Sequence, residues 1–453
     1  MQAKQHAVLG MVFLVAFLDM VGFSVIFPLF PQMMEHYVAI EGADSLVGRM
    51  VSSLSELAGE SEAARVGVVT LFGGVLGSLY SLLQFVCAPF WGALSDRIGR
   101  RSTLLFTLSG MVLSYALWCV SGSFTVLIAA RILGGIMAGN ISIASAVVSD
   151  ITEGKDRAKG MGMLGMGIGL GFILGPAIGG GLSTWRLSEL GVETGALALN
   201  PFSGPAIAAS VLALINLAWV AAKFPETLPA ERRGSGESER TRNPFAALSR
   251  VSSGELVRTT WAYFVFLFAF SAMEFTLTFL AYGRFGSAED PWTERDNMWM
   301  FVFVGLLIAF VQGGAVRRMA PKHGERKLAL VGVALVLPGF LLTGLSGSVG
   351  MLYAGLFFMA VGSAFAMPTL SALASRYAPA EHQGLALGAF RSAGALSRAL
   401  GPILGGVLFW KLSSTAPYLL ATVLLVAPLF LVARLPEPPA DEPEAESSAP
   451  VGS

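Results

Sequence analysis

Long apolar runs, each of about 20 residues or more, recur along this chain with short polar stretches between them. A hydrocarbon core about 30 Å thick takes roughly 20 apolar residues to cross as a helix, because lipid offers no partner to an unpaired peptide group. The pattern predicts twelve spans, over residues 7-32, 66-94, 102-121, 124-149, 159-182 and 204-223, then 258-283, 297-319, 327-346, 350-375, 383-409 and 415-434. Between the first two, residues 33-65 form an external loop in which Leu46, Val47, Met50, Val51, Leu54 and Leu57 recur at helical spacing. An interfacial surface helix is expected there, with a lid over a substrate opening as the alternative. Residues 224-257 are rich in Ser, Glu, Arg, Gly and Pro and read as a flexible linker that divides the chain six plus six. The expected organisation is a first bundle over 1-223, the linker, a second bundle over 258-434 and a disordered tail over 435-453.

Basic loops resist translocation, so the Lys and Arg positions orient the chain. With the N-terminus inside, the outer side holds only Arg49, Arg65, Arg186, Arg284, Arg295 and Lys411, three arginines lie within spans, and the remainder of the 30 basic residues fall inside. Both termini are therefore expected in the cytoplasm of a multi-pass cell (inner) membrane protein. The first run is expected to be a retained helix and not a cleaved signal, since no small-residue cleavage site follows a short apolar core.

Composition agrees with this picture. Hydrophobic residues make up 54% of the chain and charged ones 13%, about half the charged share of a soluble domain, which excludes a soluble globular enzyme. The 30 basic and 30 acidic residues cancel, so no nucleic-acid partner is implied. Cys87 and Cys119 sit in apolar stretches, which argues against a disulfide framework or a metal cluster. His6, His36, His323 and His382 all fall outside the expected membrane core, leaving an intramembrane enzyme without its usual metal or base. No phosphate-cradling loop follows a strand, so ATP is not expected to drive the protein, and no cofactor is expected.

The second half repeats the first. Gly175-Pro-Ala-Ile-Gly-Gly180 returns as Gly401-Pro-Ile-Leu-Gly-Gly406, and Ser145-Ala-Val-Val-Ser-Asp150 as Ser371-Ala-Leu-Ala-Ser-Arg376, both 226 residues on. The exits of the two halves match as well, Phe224-Pro-Glu-Thr227 against Leu435-Pro-Glu-Pro438, as do the loops after Gly92 and Gly314, the second in degenerate form. Two repeated six-helix units suit alternating access, in which one bundle rocks against the other around a midplane site.

Gly92-Ala-Leu-Ser-Asp-Arg-Ile-Gly-Arg-Arg101, between spans two and three, resembles the signature loop of the major facilitator superfamily. Gly162, Gly171, Gly175, Pro176, Gly179 and Gly180 in span five have the spacing of that superfamily's antiporter motif, and Arg131 with Gly135 and Gly139 in span four is similar to its proton-transfer motif. Span one, Leu18-Asp-Met-Val-Gly-Phe-Ser-Val-Ile-Phe-Pro-Leu-Phe-Pro31, resembles the tetracycline-efflux branch. Leu71-Phe-Gly-Gly74, Leu83-Gln-Phe-Val-Cys-Ala-Pro89 and Ser271-Ala-Met-Glu-Phe-Thr-Leu-Thr-Phe-Leu280 look like the tetracycline-transporter-like (TETRAN) proteins. The resemblance implies an all-α fold of twelve transmembrane helices in two pseudo-symmetric bundles, and drug:proton antiport that exports organic anions or drugs. It also implies that Asp96 and Arg100 join Asp150 in a charge cluster that holds the bundles together when the outside is open.

Only two carboxylates lie well inside spans, Asp19 in the first and Glu274 in the seventh. An ionised carboxylate is costly there, so exchange of a proton or contact with substrate is expected, against a purely structural pairing. Arg131, Arg391 and Arg398 are also embedded, and the seven-residue separation of the last two puts them on one helix face. A guanidinium stays charged, so Arg391 or Arg398 is expected to meet an anionic group of the substrate, the alternative being snorkelling or bonding to backbone. Arg131 is expected in proton coupling, against a static pair with Asp19 or a helix end. Gln84 and Asn140 are candidate substrate contacts or, alternatively, satisfied interhelical hydrogen bonds. Gating is expected of Gly92, Asp96, Arg97, Gly99, Arg100, Arg101 and Asp150, together with Gly171, Gly175, Gly179 and Gly180, which permit close helix contact, and Pro176, which bends the helix where the external gate should seal. The expected function is proton-coupled export of an amphipathic, anionic organic solute by a monomer; movement of a lipid-like anion through the same cleft, or a non-transporting receptor, are the rivals.

Overall fold

In the computed structural model the described residues are 2–58, 62–152, 154–183, 195–229, 233, 253–287, 292–378 and 383–437. Most of the linker and the tail beyond Glu437 lie outside them, so the expected disorder of those segments falls outside the described residues. The first half contains α1 (Gln2–Ser24), α2 (Phe30–Glu41), α3 (Leu46–Ala58), α4 (Glu62–Ile98), α5 (Arg100–Cys119), α6 (Phe124–Met137), α7 (Asn140–Ile151), α8 (Gly154–Leu182) and α9 (Ser203–Lys223). The second contains α10 (Gly254–Phe285), α11 (Glu294–Phe310), α12 (Arg317–His323), α13 (Glu325–Gly344), α14 (Val349–Tyr377), α15 (Gln383–Lys411), α16 (Ala416–Leu424) and α17 (Val426–Ala433). Among the described residues, 11 stretches are helical, long and apolar enough to cross a membrane, and α4, bent by 40° between Ala88 and Phe90, brings the number to 12.

The bundle is turned inside out relative to a soluble protein. Large apolar side chains such as Phe106, Leu306 and Phe310 stand exposed on the outer surface, whereas Asp19, Arg131, Asn140 and Glu274 are buried. With lipid as solvent, apolar surface needs no cover, while polar groups must find partners inside. Helices that begin after Ser123, Ser253 and Ser348 take a hydrogen bond from an early backbone N–H to that serine's hydroxyl.

Several expected spans are broken. The first passes through a 3-10 turn at Phe27–Leu29 that contains Pro28 and is followed by Pro31, and runs on to Glu41, well beyond residue 32. The fourth breaks at Ala138 and Gly139, the eighth carries a π-helical turn at Val311–Val316, and the twelfth breaks at Leu425. The external stretch 33-65 is thus largely helix, and its predicted helix is α3, packed against α2 and α4. The signature "loop" after Gly92 is also corrected: α4 stays helical through Ile98, and Gly99 alone, at φ +103°, turns the chain into α5.

The two halves are built on equivalent helix pairs. Glycines at 167, 171, 175 and 179 lay α8 directly against the backbone of α1: a Cβ on Gly171 would strike the Phe17 carbonyl oxygen, and one on Gly179 would strike the Val25 carbonyl. One repeat later Gly401 and Gly405 of α15 meet Phe268 and Ala272 of α10 in the same way. Small residues let helices in lipid approach until dispersion and Cα–H···O contacts replace a hydrophobic driving force.

Candidate functional site

Where the bundles face each other, a narrow cavity is lined by Phe23, Phe27, Gly77, Ser81 and Phe172 from the first half and by Ser271, Glu274, Phe275, Arg398 and Pro402 from the second. Its accessible volume is about 10 Å³, room for about one water. Among the described residues, Glu274 and Arg398 are its charged lining residues. Glu274 is 6% exposed, its Oε2 has no hydrogen-bond partner, and Arg398 is the charge that acts on it; no ion pair joins the two. Ser271 donates to the carbonyls of Phe268 and Ser397, and Ser81 to that of Gly77, so both hydroxyls already have partners.

The seven-residue repeat of α15 separates its two arginines. Arg391 lies two turns from Arg398, outside the cavity, with its guanidinium over Gly165 of α8 and a hydrogen bond to Tyr263. Gln84 is buried on α4 one turn beyond Ser81, off the cavity wall.

Asp19 does not line the cavity. It is the head of a chain of hydrogen bonds inside the first bundle: Asn140 Nδ2 donates to Asp19 Oδ1 at 2.7 Å, and Thr107 Oγ1 donates to Asn140 Oδ1 at 2.6 Å, leaving Asp19 Oδ2 buried without a partner. Asn140 is fully buried, and the break at Gly139 presents it as the first residue of α7. The structure therefore brings Asn140 to Asp19 and not to the cavity. Arg131 is 2% exposed and boxed by aromatic rings, 4.8 Å from the Trp118 ring centre and 5.8 Å from that of Tyr80. Its Nε and Nη2 have no hydrogen-bond acceptor, and no ion pair links it to Asp19. Tyr80 and Tyr115 lie near enough to Asp19 and Arg131 to feel both charges.

The charge cluster forms where α4, α5 and α7 end or begin. Arg100 is 3% exposed; its Nη1 donates to Asp96 and to Ser95 Oγ, and its Nε and Nη2 to the two oxygens of Asp150 at 2.8 and 3.3 Å. Such a fork engages a carboxylate with two parallel donors. Arg97 points outward, exposed. Glu226, in the exit from the first half, accepts from the backbone N–H groups of Arg100 and Arg101 at 2.9 and 3.3 Å and so caps α5. Gly99 makes this possible, since a Cβ there would collide with the Glu226 carboxylate. Arg101 donates to the Ala221 carbonyl. Gly92, Gly175, Pro176, Gly179 and Gly180 are all buried.

Sequence reasoning did not find Glu226, Thr107, the aromatic box or the four cavity phenylalanines. Glu226 carried a signal, because its Pro-Glu dipeptide closes both halves; its target is 126 residues away and only folding joins them. A further contact ties the bundles at the end where α2 and α10 finish: Tyr282 Oη donates to Glu35 Oε1 at 2.8 Å, and Asn297 Nδ2 to the Pro28 carbonyl at 3.4 Å.

The sequence matches the Major Facilitator Superfamily over residues 12–322 and 285–452. The bovine major facilitator superfamily domain-containing protein 10 is 34% identical over 98% of this chain and 96% of its own length. The class C tetracycline resistance protein of Escherichia coli is 30% identical over 76% of this chain and 81% of its own. Among solved structures, the human organic anion transporter MFSD10 (TETRAN) superposes with a TM-score of 0.75 and 32% identity, covering 94% of this chain and 99% of that one.

Proposed function

Because the chain belongs to the major facilitator superfamily, and so is a multi-pass membrane transporter and not an enzyme, we propose that it carries an amphipathic organic anion across a membrane by proton-coupled alternating access. The cavity between the bundles is the observation that carries this reading. It offers one guanidinium, one carboxylate with an unpartnered oxygen, and four phenylalanine rings. Arg398 suits an anionic head, because a half-buried guanidinium inside a span stays charged and seeks a negative partner. Phe23, Phe27, Phe172 and Phe275 suit the apolar body. Since the cavity holds about one water, a solute of drug size can enter only when the bundles part, as alternating access requires.

In this reading Glu274 exchanges the coupled proton, Asp19 is the proton site of the first bundle, held in place by Asn140 and Thr107, and Arg131 bears on Asp19 alongside Tyr80 and Tyr115. The Asp96–Arg100–Asp150 cluster, with Arg97, Arg101 and the turn at Gly99, latches one end; the glycines and Pro176 of α8 let it slide on α1 at the other. Gln84 and Arg391 lie within reach of a cargo once the cavity widens toward them. The drug-efflux likeness suggests export from the cytoplasm across a cell membrane by exchange with protons, with both termini inside as the basic loops predict.

The test is counterflow in proteoliposomes with a panel of anionic, zwitterionic and cationic amphiphiles at several pH values. Anions should exchange, Arg398→Ala should stop them, and Glu274→Gln should remove the pH dependence. Exchange of cations alone, or full anion exchange by Arg398→Ala, would overturn the reading.

A further inference from the structure

The cavity's two charges bear on the sign of coupling. Glu274 and Arg398 face one space of about 10 Å³ without forming an ion pair. Among the described residues, no charge besides these two lines the cavity, and Arg391, which interacts with Arg398 along α15, stands outside it. From α15 come Arg398 and, two turns away, Arg391 on Tyr263; from α4 come Ser78, Tyr80, Ser81 and Gln84; the 3-10 turn brings Phe27. Tyr353, Arg376, Tyr377 and Arg434 lie nearer the ends of α14 and α17, and Tyr418 of α16 shares a hydrogen bond with Thr276. Asp19 is held inside the first bundle by Asn140.

With one carboxylate and one guanidinium, the empty cavity is neutral when Glu274 is ionised. An anion on Arg398 beside an ionised Glu274 leaves a net negative charge in a space with little water; an anion on Arg398 with a protonated Glu274 restores neutrality. Conversely, a protonated Glu274 without an anion leaves Arg398 uncompensated. Net charge away from water is the costly condition, so both transitions between the two sides are cheapest in the neutral states. Competition between cargo and proton, which exchange requires, would arise for a cation seated on Glu274, not for an anion seated on Arg398.

We infer that an anionic cargo and a proton occupy this cavity together, the anion on Arg398 and the proton on Glu274, and cross in the same direction. The carrier returns empty with Glu274 ionised opposite Arg398. For a monoanion the cycle moves one proton and one negative charge together and no net charge. This rests on the proposed anion site and reverses the direction of coupling that the drug-efflux likeness suggests for such a cargo.

The experiment uses the full chain in proteoliposomes with 1-naphthalenesulfonate, whose permanent charge prevents passive entry as a neutral acid, and the membrane potential held at zero. An acid exterior should drive uptake to about tenfold accumulation per pH unit, the limit for one proton per anion. Acid inside should not concentrate it. Binding to the purified protein should take up about one proton per anion, read from titration heats in buffers of different ionisation enthalpy. Glu274→Gln should bind without proton uptake and reach no accumulation. Accumulation driven by acid inside, or proton release on binding, would overturn the shared direction while leaving the anion site standing. Counterflow of a naphthyl quaternary ammonium with none of the sulfonate would overturn both.

Discussion

Glu325 and Arg376 form a 2.9 Å ion pair that stands, one repeat on, where Arg100 and Asp150 meet at 2.8 Å, with the signs exchanged. The surroundings are equivalent too: Gly99 and Gly324 both turn at positive φ into the next helix, and Arg101 and Arg326 both donate to carbonyls at the end of the last helix of their half. The second loop, degenerate as a motif, has therefore kept its geometry while inverting its charges. The halves differ in burial. The Arg100 side chain is 4% exposed and holds two carboxylates, whereas that of Arg376 is 27% exposed.

That difference predicts unequal costs. Arg100→Ala should destabilise the protein by about 3 kcal/mol, because it removes the buried guanidinium that holds Asp96 and Asp150 together. Arg376→Ala should cost less than about 1 kcal/mol, in line with a solvent-screened pair. Thermal unfolding in detergent would compare them, and equal shifts would contradict the reading.

Gly99→Ala should cost about 2 kcal/mol, since the residue turns at positive φ and its new Cβ would displace the Glu226 cap. In a Glu226→Ala background the penalty should shrink to that of the backbone alone. A double-mutant cycle on the unfolding midpoint measures this coupling, and strict additivity would show that the cap and the glycine are independent.

Gly171→Ala and Gly179→Ala should each push α8 from α1 and cost about 1–3 kcal/mol. Gly169→Ala, whose Cβ would meet nothing within 4 Å on the same helix, supplies the control and should fold and transport as the parent does. If all three behave alike, the glycine stripe is not the contact surface.

Tyr282→Phe keeps the ring and removes the hydroxyl that reaches Glu35 across the bundles. Losing about 0.5–1.5 kcal/mol from the closed end should raise the population open at that end by roughly two- to tenfold. Labelling rates of a cysteine introduced between α2 and α10 would report it; an unchanged rate would mean that the contact does not hold that end shut.

Much of this was legible without a fold. Hydropathy located the spans because lipid selects apolar length locally, and the repeat located the halves. Asp19, Glu274 and the embedded arginines stood out because ionised groups are rare at such depth. Helix breaks at residues 27, 138 and 425 left only weak marks, since each replaces a few backbone bonds without interrupting the apolar run.

Sequence by itself determined the solvent of each segment, the doubling of a six-helix unit and which charged residues had to lie inside, since these depend on the chemistry of neighbours along the chain. Only the tertiary structure decided that Glu274 shares a cavity with Arg398 and not with Arg391, that Asn140 serves Asp19, and that Glu226 caps a helix 126 residues away. Those pairings depend on where helices cross and how closely glycine lets them approach. Contacts set by packing in three dimensions leave no periodic trace along the chain.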